Sequence, residues 1–307
     1  MSKQANKPGL GAWIQAFRLR TLPLALASVF TGAAFANDAD AGNGTALALI
    51  ILTTVLLQVL SNLANDYGDS VHGADNDRRV GPSRAVQSGA ISVAAMKTGV
   101  ITTAVLAFTS GLALLYVAFF AGGRMLEGFV FLSLGLLAIA AAVKYTAGSN
   151  PYGYQGLGDV SVLLFFGWLG VAGTAYVLGS TFSLELLLPA TAIGSFAAAV
   201  LNLNNLRDHI NDAASGKRTL VVKMGFKKAK AYHLGLFLLG WTTLLVWLIA
   251  FNAASGRWLI GVLLVVHIVH LKKVFTTHEP ALLDPELKKI ALSAFLISAI
   301  LLITSTL

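Results

Sequence analysis

The sequence predicts an all-α integral membrane protein, a nine-helix bundle with two Asp-rich cytoplasmic helix ends facing a central cavity. Three observations predict it. The 307 residues are 56% hydrophobic and only 12% charged, so lipid must solvate most of the side chains. Apolar stretches near the ~20-residue length of a spanning helix recur along the chain. Lysine and arginine collect in alternate connections, as they do on the cytoplasmic side of membrane proteins.

The apolar stretches fall at about 21–37, 44–65, 98–121, 126–143, 160–179, 184–203, 231–251, 257–272 and 289–306. With the N-terminus inside and the C-terminus outside, only Arg124 and Arg257 of the 22 basic residues face outward. A miscounted span would spoil that division. The net charge of +8 is then explained by anionic inner-leaflet lipid and an anionic substrate, without nucleic acid. Trp13, Ile14 and Phe17, interleaved with Arg18 and Arg20, form a short amphipathic piece suited to the interface before Pro23 opens the first span. No small-residue cleavage site follows, so the first span reads as an uncleaved anchor. With no cysteine, disulfides and thiolate metal sites are excluded. The polar connections are too short for a soluble domain. Residues 1–307 therefore read as one membrane domain, with pseudo-repeat halves at about 20–145 and 160–306. Its oligomeric state is left open.

The second span ends in QVLSNLANDYGD, which places Asn62, Asn65, Asp66 and Asp69 on its last turns. Helical spacings of three and four put Asn62, Asp66 and Asp69 on one face. Converging oxygen ligands suit a hard cation such as Mg²⁺, which keeps some waters and shares phosphate oxygens with its substrate. The loop beyond carries Asp75, Asp77, Arg78, Arg79 and Arg84. Its arginines suit a diphosphate, held by charge-assisted and often bidentate hydrogen bonds. Gly81-Pro82 before Ser83 and Arg84 either presents backbone amides to phosphate or simply turns the chain. The plain alternative for the cluster is a solvated loop, but ionisable groups at membrane-helix ends are costly and mark sites.

The third and fourth spans are uninformative. After them, KYTAGSNPYGYQGLGD gathers Tyr145, Tyr152 and Tyr154 among four glycines and ends at Asp159. The phenols suit a headgroup or an aromatic ligand, and these four residues are the candidates for binding it. An aromatic belt at the interface is the competing reading.

The sixth span ends as the second does. Asn204, Asp208 and Asp212 stand at i, i+4 steps on one face, Arg207 is adjacent, and Lys217 and Arg218 lie in the loop beyond. Superposing Asp66 on Asp208 also superposes Asn62 on Asn204, at a separation of 142 residues. Two acidic ends meeting across a cavity suit Mg²⁺ around one diphosphate, because the metal neutralises carboxylates that would otherwise repel. The last three spans carry no such cluster. His267 and His270 lack acidic partners in their own span and read as interfacial or packing residues, while Glu279, Asp284 and Glu286 read as solvated.

The chain resembles the UbiA superfamily of intramembrane aromatic prenyltransferases, on Asn65-Asp66-x-x-Asp69 and Asp208-x-x-x-Asp212 after the second and sixth spans. Within that superfamily, NDYGD, GAD, GPSR, PYGYQGLGD and NLRD are most similar to the 1,4-dihydroxy-2-naphthoate polyprenyltransferases. The resemblance implies a nine-helix bundle and Mg²⁺-dependent transfer of a polyprenyl group from its diphosphate to the naphthoate, with decarboxylation to a demethylmenaquinone. Asp66, Asp69, Asp208 and Asp212 would hold the metal, with Asn62 and Asn204. Asn62, Asn65, Arg78, Arg79, Arg84, Arg207, Lys217 and Arg218 would hold the diphosphate. The sequence departs from the superfamily where some members carry Tyr-x-x-x-Lys: with Lys144 as the lysine, the matching position is Ala140. A different aromatic acceptor such as 4-hydroxybenzoate is the alternative within the family. A divalent-cation or organic-ion transporter is the alternative outside it, although transporter acids are usually found near the midplane rather than at span ends.

Overall fold

A computed structural model of the protein describes residues 8–36, 43–75, 80–179, 181–251 and 257–305. The described residues contain helices and turns but no strand. The N-terminal amphipathic piece is α1 (Leu10–Phe17), which ends where Arg18 takes a left-handed conformation at φ 49°. The next helix, α2 (Leu22–Ala33), starts with Pro23, whose missing N–H costs nothing in a first turn. At 12 residues it is shorter than the predicted first span. Two long helices follow, α3 (Asn43–Val71) and α4 (Val93–Ala118), the latter capped by the Ser92 hydroxyl, which accepts from the Ala95 amide at 3.2 Å. Then come α5 (Met125–Lys144) and a composite span: α6 (Gly158–Val162), a π-helical stretch over Leu163–Ala172, and α7 (Gly173–Val177). The second half contains α8 (Leu187–Ala214), the short α9 (Leu220–Met224), α10 (Phe226–Ala250), α11 (Gly261–Thr276) and α12 (Asp284–Ser305).

Eight of these described segments are long and apolar enough to cross a bilayer. The expected ninth, α2, falls short in length but is packed against α12, α3 and the π-helical stretch, with most of its side chains buried. α8 is the most enclosed span and packs on α10, α12, α2 and the π-helical stretch. Its inner face is rich in alanine, which lets the neighbouring helices come close and leaves room for larger side chains such as Phe196.

Of the two readings for His267 and His270, interfacial or packing, packing holds: they are 1% and 2% exposed. His270 Nδ1 meets Glu286 Oε2 at 2.7 Å, and its Nε2 meets His233 Nε2 at 2.9 Å. His233 in turn reaches Asn202 on α8, and His267 is held between Trp241 and Ser293. Glu286, expected in water, is buried at the start of α12, because the chain turns back there and carries it against α11. Buried polar groups require partners, and here α8, α10, α11 and α12 supply them to one another. Asp284, also expected in water, pairs with Arg207 of α8.

Candidate active site

The ends of α3 and α8 that carry the acidic clusters come together. Asn211 Nδ2 on α8 donates to the Ala74 carbonyl just beyond α3 at 3.0 Å, and Lys217 Nζ after α8 lies 2.8 Å from Asp69 Oδ1 on α3. Asp66, Asp69, Asp208 and Asp212 are all buried. Asp66, Asp69 and Asp208 are each held by named partners. Asp66 takes the backbone amides of Ala85 and Val86 at 3.0 and 3.3 Å, so it organises the loop that brings Arg84 inward. Arg84 approaches Asp69 and Asp75, each at 3.6 Å. Asp69 also accepts from the Tyr154 hydroxyl at 2.8 Å. Both oxygens of Asp208 take N–H groups of Arg207, at 2.8 and 2.6 Å.

Two glycines permit this closeness. A Cβ on Gly68, between Asp66 and Asp69, would come within 2.5 Å of the Thr146 carbonyl, so the α3 end can lie against the loop after α5 only without one. A Cβ on Gly81 would come within 2.6 Å of the Arg207 guanidinium, which lies against that loop.

The candidate residues divide by place. Asn62 donates to the Phe17 carbonyl and the Thr21 hydroxyl, at 2.9 and 3.0 Å, tying α1 to α3. Asn65 Oδ1 lies 3.0 Å from the Thr146 hydroxyl. Asn204 accepts from Arg207 at 2.8 Å. Arg218 is exposed, and its backbone amide donates to the Tyr154 carbonyl at 2.9 Å. Arg78, Arg79 and Asp77 lie outside the described residues. The tyrosines separate: Tyr145 and Tyr152 stand edge to face at 5.4 Å in the wall of a cavity, while Tyr154 belongs to the acidic cap. Asp159 is buried against Tyr232 and lies outside the cavity lining. Burial raises the phenols of Tyr145, Tyr152 and Tyr154 above the ordinary value; the Asp159 carboxylate adds to this at Tyr145 and Asp69 adds to it at Tyr154. All three are therefore protonated donors at neutral pH.

That cavity encloses 370 Å³ beneath the cap. Gln58, Ser61, Asn62 and Asn65 form its polar end, and Phe131, Phe165, Phe166 and Leu169 are among its apolar walls. The four aspartates do not line it, but Asp66 and Asp69 stand one helical turn beyond Asn62 and Asn65 on the same helix. On the lipid side, Phe108, Leu112 and Leu136 line the cavity while remaining 38%, 37% and 49% exposed, so it opens sideways between α4 and α5.

Among the described residues no three acidic or histidine side chains are gathered tightly enough to chelate a metal by themselves. The donors nonetheless fit Mg²⁺. They are all oxygens, and Asn211 Oδ1 is buried beside them with no hydrogen-bond partner. Mg²⁺ takes few protein ligands and completes its shell with water and phosphate. The residue the sequence did not single out is Asp284, which reaches this cap from α12 through Arg207.

A polar, acid-rich cap over an apolar cavity that opens to lipid defines a membrane-embedded site for an amphiphile with an anionic head. Comparison with known proteins narrows the class. The sequence matches the UbiA prenyltransferase family over residues 25–297, and the chain belongs to that family. It is 42% identical over 299 residues to the 1,4-dihydroxy-2-naphthoate octaprenyltransferase of Haemophilus influenzae, covering 97% of this chain and 96% of that protein. The Escherichia coli enzyme of the same name is 50% identical over 223 residues, 72% of this chain and 71% of that one. Among solved structures, a UbiA homolog from Aeropyrum pernix shares the fold with TM-score 0.69 at 17% identity, covering 95% of this chain and 99% of that one. A UbiA homolog from Archaeoglobus fulgidus bound to GPP and Mg²⁺ gives 0.64 at 15% identity, covering 95% and 99%.

Proposed function

We propose that the protein transfers a polyprenyl group from polyprenyl diphosphate to 1,4-dihydroxy-2-naphthoate, with Mg²⁺, at the cytoplasmic face of the bacterial inner membrane. The immediate product is the hydroquinone, a demethylmenaquinol, formed with loss of CO₂; a separate two-electron oxidation away from this site gives the demethylmenaquinone. The observation that carries this reading is the 2.8 Å contact between Lys217 and Asp69, which joins the two acidic ends above the cavity. Identity of 42% and 50% to naphthoate octaprenyltransferases supports the choice of acceptor.

Asp66, Asp69, Asp208 and Asp212, with the amide oxygens of Asn62 and Asn204 nearby, would hold Mg²⁺. When bound, the metal supplies Lewis-acid neutralisation of the departing diphosphate. Lys217 and Arg84, held on Asp69 at rest, turn to the diphosphate oxygens, so the charge developing on the leaving group meets positioned donors. Arg78, Arg79, Arg207 and Arg218 complete the pool of cations. The C–O bond to the diphosphate breaks with its electron pair on oxygen, and the allylic carbon is left in the cavity. The apolar walls keep water away from that cation. Tyr145 and Tyr152 edge the polar end; Tyr145 orients the acceptor as a hydrogen-bond donor, not as a base, and Tyr152, whose hydroxyl donates to the Ala141 carbonyl at 3.0 Å, fixes the ring beside it. A ring carbon attacks, and the carboxylate departs as CO₂. Tyr154 and Asp159, outside the cavity wall, act by holding Asp69 and Tyr232 in place.

Purified protein supplied with Mg²⁺, a polyprenyl diphosphate and either naphthoate or 4-hydroxybenzoate tests the reading by product mass. Naphthoate is expected to react, chelation with EDTA to stop turnover, and added Mg²⁺ to restore it. Turnover of 4-hydroxybenzoate alone would reassign the acceptor, and ion flux into vesicles without any product would replace the enzyme with a transporter.

A further inference from the structure

Arg207 is 2% exposed and sits at the centre of the second acidic cap. Its Nε and Nη2 engage both oxygens of Asp208, its Nη2 also reaches Asn204 Oδ1 at 2.8 Å, and its Nη1 is bonded to Asp284 Oδ1. Asp284 is the first residue of α12 and lies 77 residues further along the chain. Its side chain is 35% exposed, whereas that of Asp208 is 5% exposed. One guanidinium thus bridges an inner and an outer carboxylate, with Gly81 closing off a third side.

We propose that Asp284 is a positioning residue for the metal site: by sharing Arg207, it sets how firmly Asp208 is held and so how readily Asp208 accepts a divalent cation. The inference rests on the metal-dependent reading above. A guanidinium forked onto one carboxylate forms a closed pair, and an incoming cation must compete with it for the same oxygens. A second carboxylate on the same guanidinium takes part of its charge and leaves the trio with a net charge of −1, which favours a divalent cation. Without the Asp284 charge, Arg207 and Asp208 become a neutral pair, and both effects weaken metal binding. A purely structural role would be different, since Asn keeps the shape, the acceptor oxygen and the helix-start preference of Asp. Asp284→Asn therefore removes the charge and little else.

The probe is Mn²⁺ alone, titrated into the full-length protein in detergent, with free Mn²⁺ read by its paramagnetic resonance signal. Asp284→Asn is expected to weaken Mn²⁺ binding by roughly tenfold, the coupling scale of directly linked charges, with its melting midpoint retained. Asp284→Glu is expected to restore most of it. Arg207→Gln, which frees both carboxylates, is expected to bind Mn²⁺ more tightly than the wild type even as turnover falls. Wild-type affinity in Asp284→Asn, or weaker binding in Arg207→Gln, overturns the proposal. Should Asp284→Asn not fold, Arg207→Gln decides by itself. Failure of the underlying reading shows elsewhere: wild-type protein that takes up no Mn²⁺, or Asp66→Ala with unchanged binding, overturns the metal site itself and the proposal with it.

Discussion

Lys217 Nζ lies 2.8 Å from Asp69 Oδ1, so the basic loop that follows α8 neutralises an acid that belongs to α3. The same ammonium stands 4.9 Å from the ring centroid of Tyr154, whose hydroxyl donates to the same carboxylate. Lysine and phenol therefore converge on one carboxylate oxygen, and any ligand that takes that oxygen must exchange partners with them.

Lys217→Met is expected to fold normally and to lose roughly 2–3 kcal/mol of transition-state stabilisation, about 30- to 150-fold in kcat/KM, as for other groups placed on developing charge. Product formation from polyprenyl diphosphate, followed chromatographically, checks it. Turnover within twofold of wild type would remove Lys217 from the leaving-group site.

Asp66 has two duties that different substitutions separate. Asp66→Ala strands the buried amides of Ala85 and Val86, and is expected to cost about 1–3 kcal/mol of stability as well as nearly all turnover. Asp66→Asn retains an acceptor and is expected to melt closer to wild type while remaining inactive. Asp208→Ala is expected to fold, since Arg207 keeps Asp284, and to turn over little. Thermal unfolding in detergent beside the activity assay distinguishes the three.

Alkaline pH should loosen the cap. A tyrosine in the unfolded chain ionises near pH 10. Burial first, then Asp69, hold Tyr154 above that value in the fold. The stability this provides is intact below about pH 10 and is lost as pH rises toward the folded value, because only the unfolded chain gains by ionising. The melting midpoint is expected to stay level up to about pH 9 and to fall above pH 10, less steeply in Tyr154→Phe. Tyr145 and Tyr152 shift in the same direction, so the slope is reduced and not abolished. An equal slope in Tyr154→Phe would contradict this account.

The His270–Glu286 pair should behave as a buried unit. His270→Ala removes a hydrogen-bond donor from a carboxylate that is 3% exposed and keeps Lys289, an expected loss of about 1–3 kcal/mol. The double variant His270→Ala/Glu286→Ala is expected to lose less than the two single losses combined. Unfolding midpoints for the four proteins give the coupling directly.

What the sequence made legible follows from cost. Aspartate and asparagine at the ends of apolar spans are expensive, so Asp66, Asp69, Asp208 and Asp212 stood out against the hydrophobic chain. The same acids bring Lys217 and Arg84 with them, and both are found there. The partners of His270 are not legible in the sequence because they lie on other helices: Glu286 is 16 residues away and His233 is 37 away. No helical period connects such positions. Asp284 was hidden in the same way, since only the packing of α12 beside α8 reveals that it shares Arg207. The first span is shorter than hydropathy suggests: the apolar stretch runs to about residue 37, whereas α2 ends at Ala33 and still packs against α12 and α3.

The gap beside Phe108, Leu112 and Leu136 has a consequence for what the protein can measure. A channel with a blind end acts as a ruler, admitting one chain length and refusing the next. A channel with a missing side lets the far end of a long isoprenoid hang among the lipids, where one extra unit costs about as much as it did before binding. Tail length would then be decided by the synthase that supplies the donor, and the finished product would already lie in the phase where it is used.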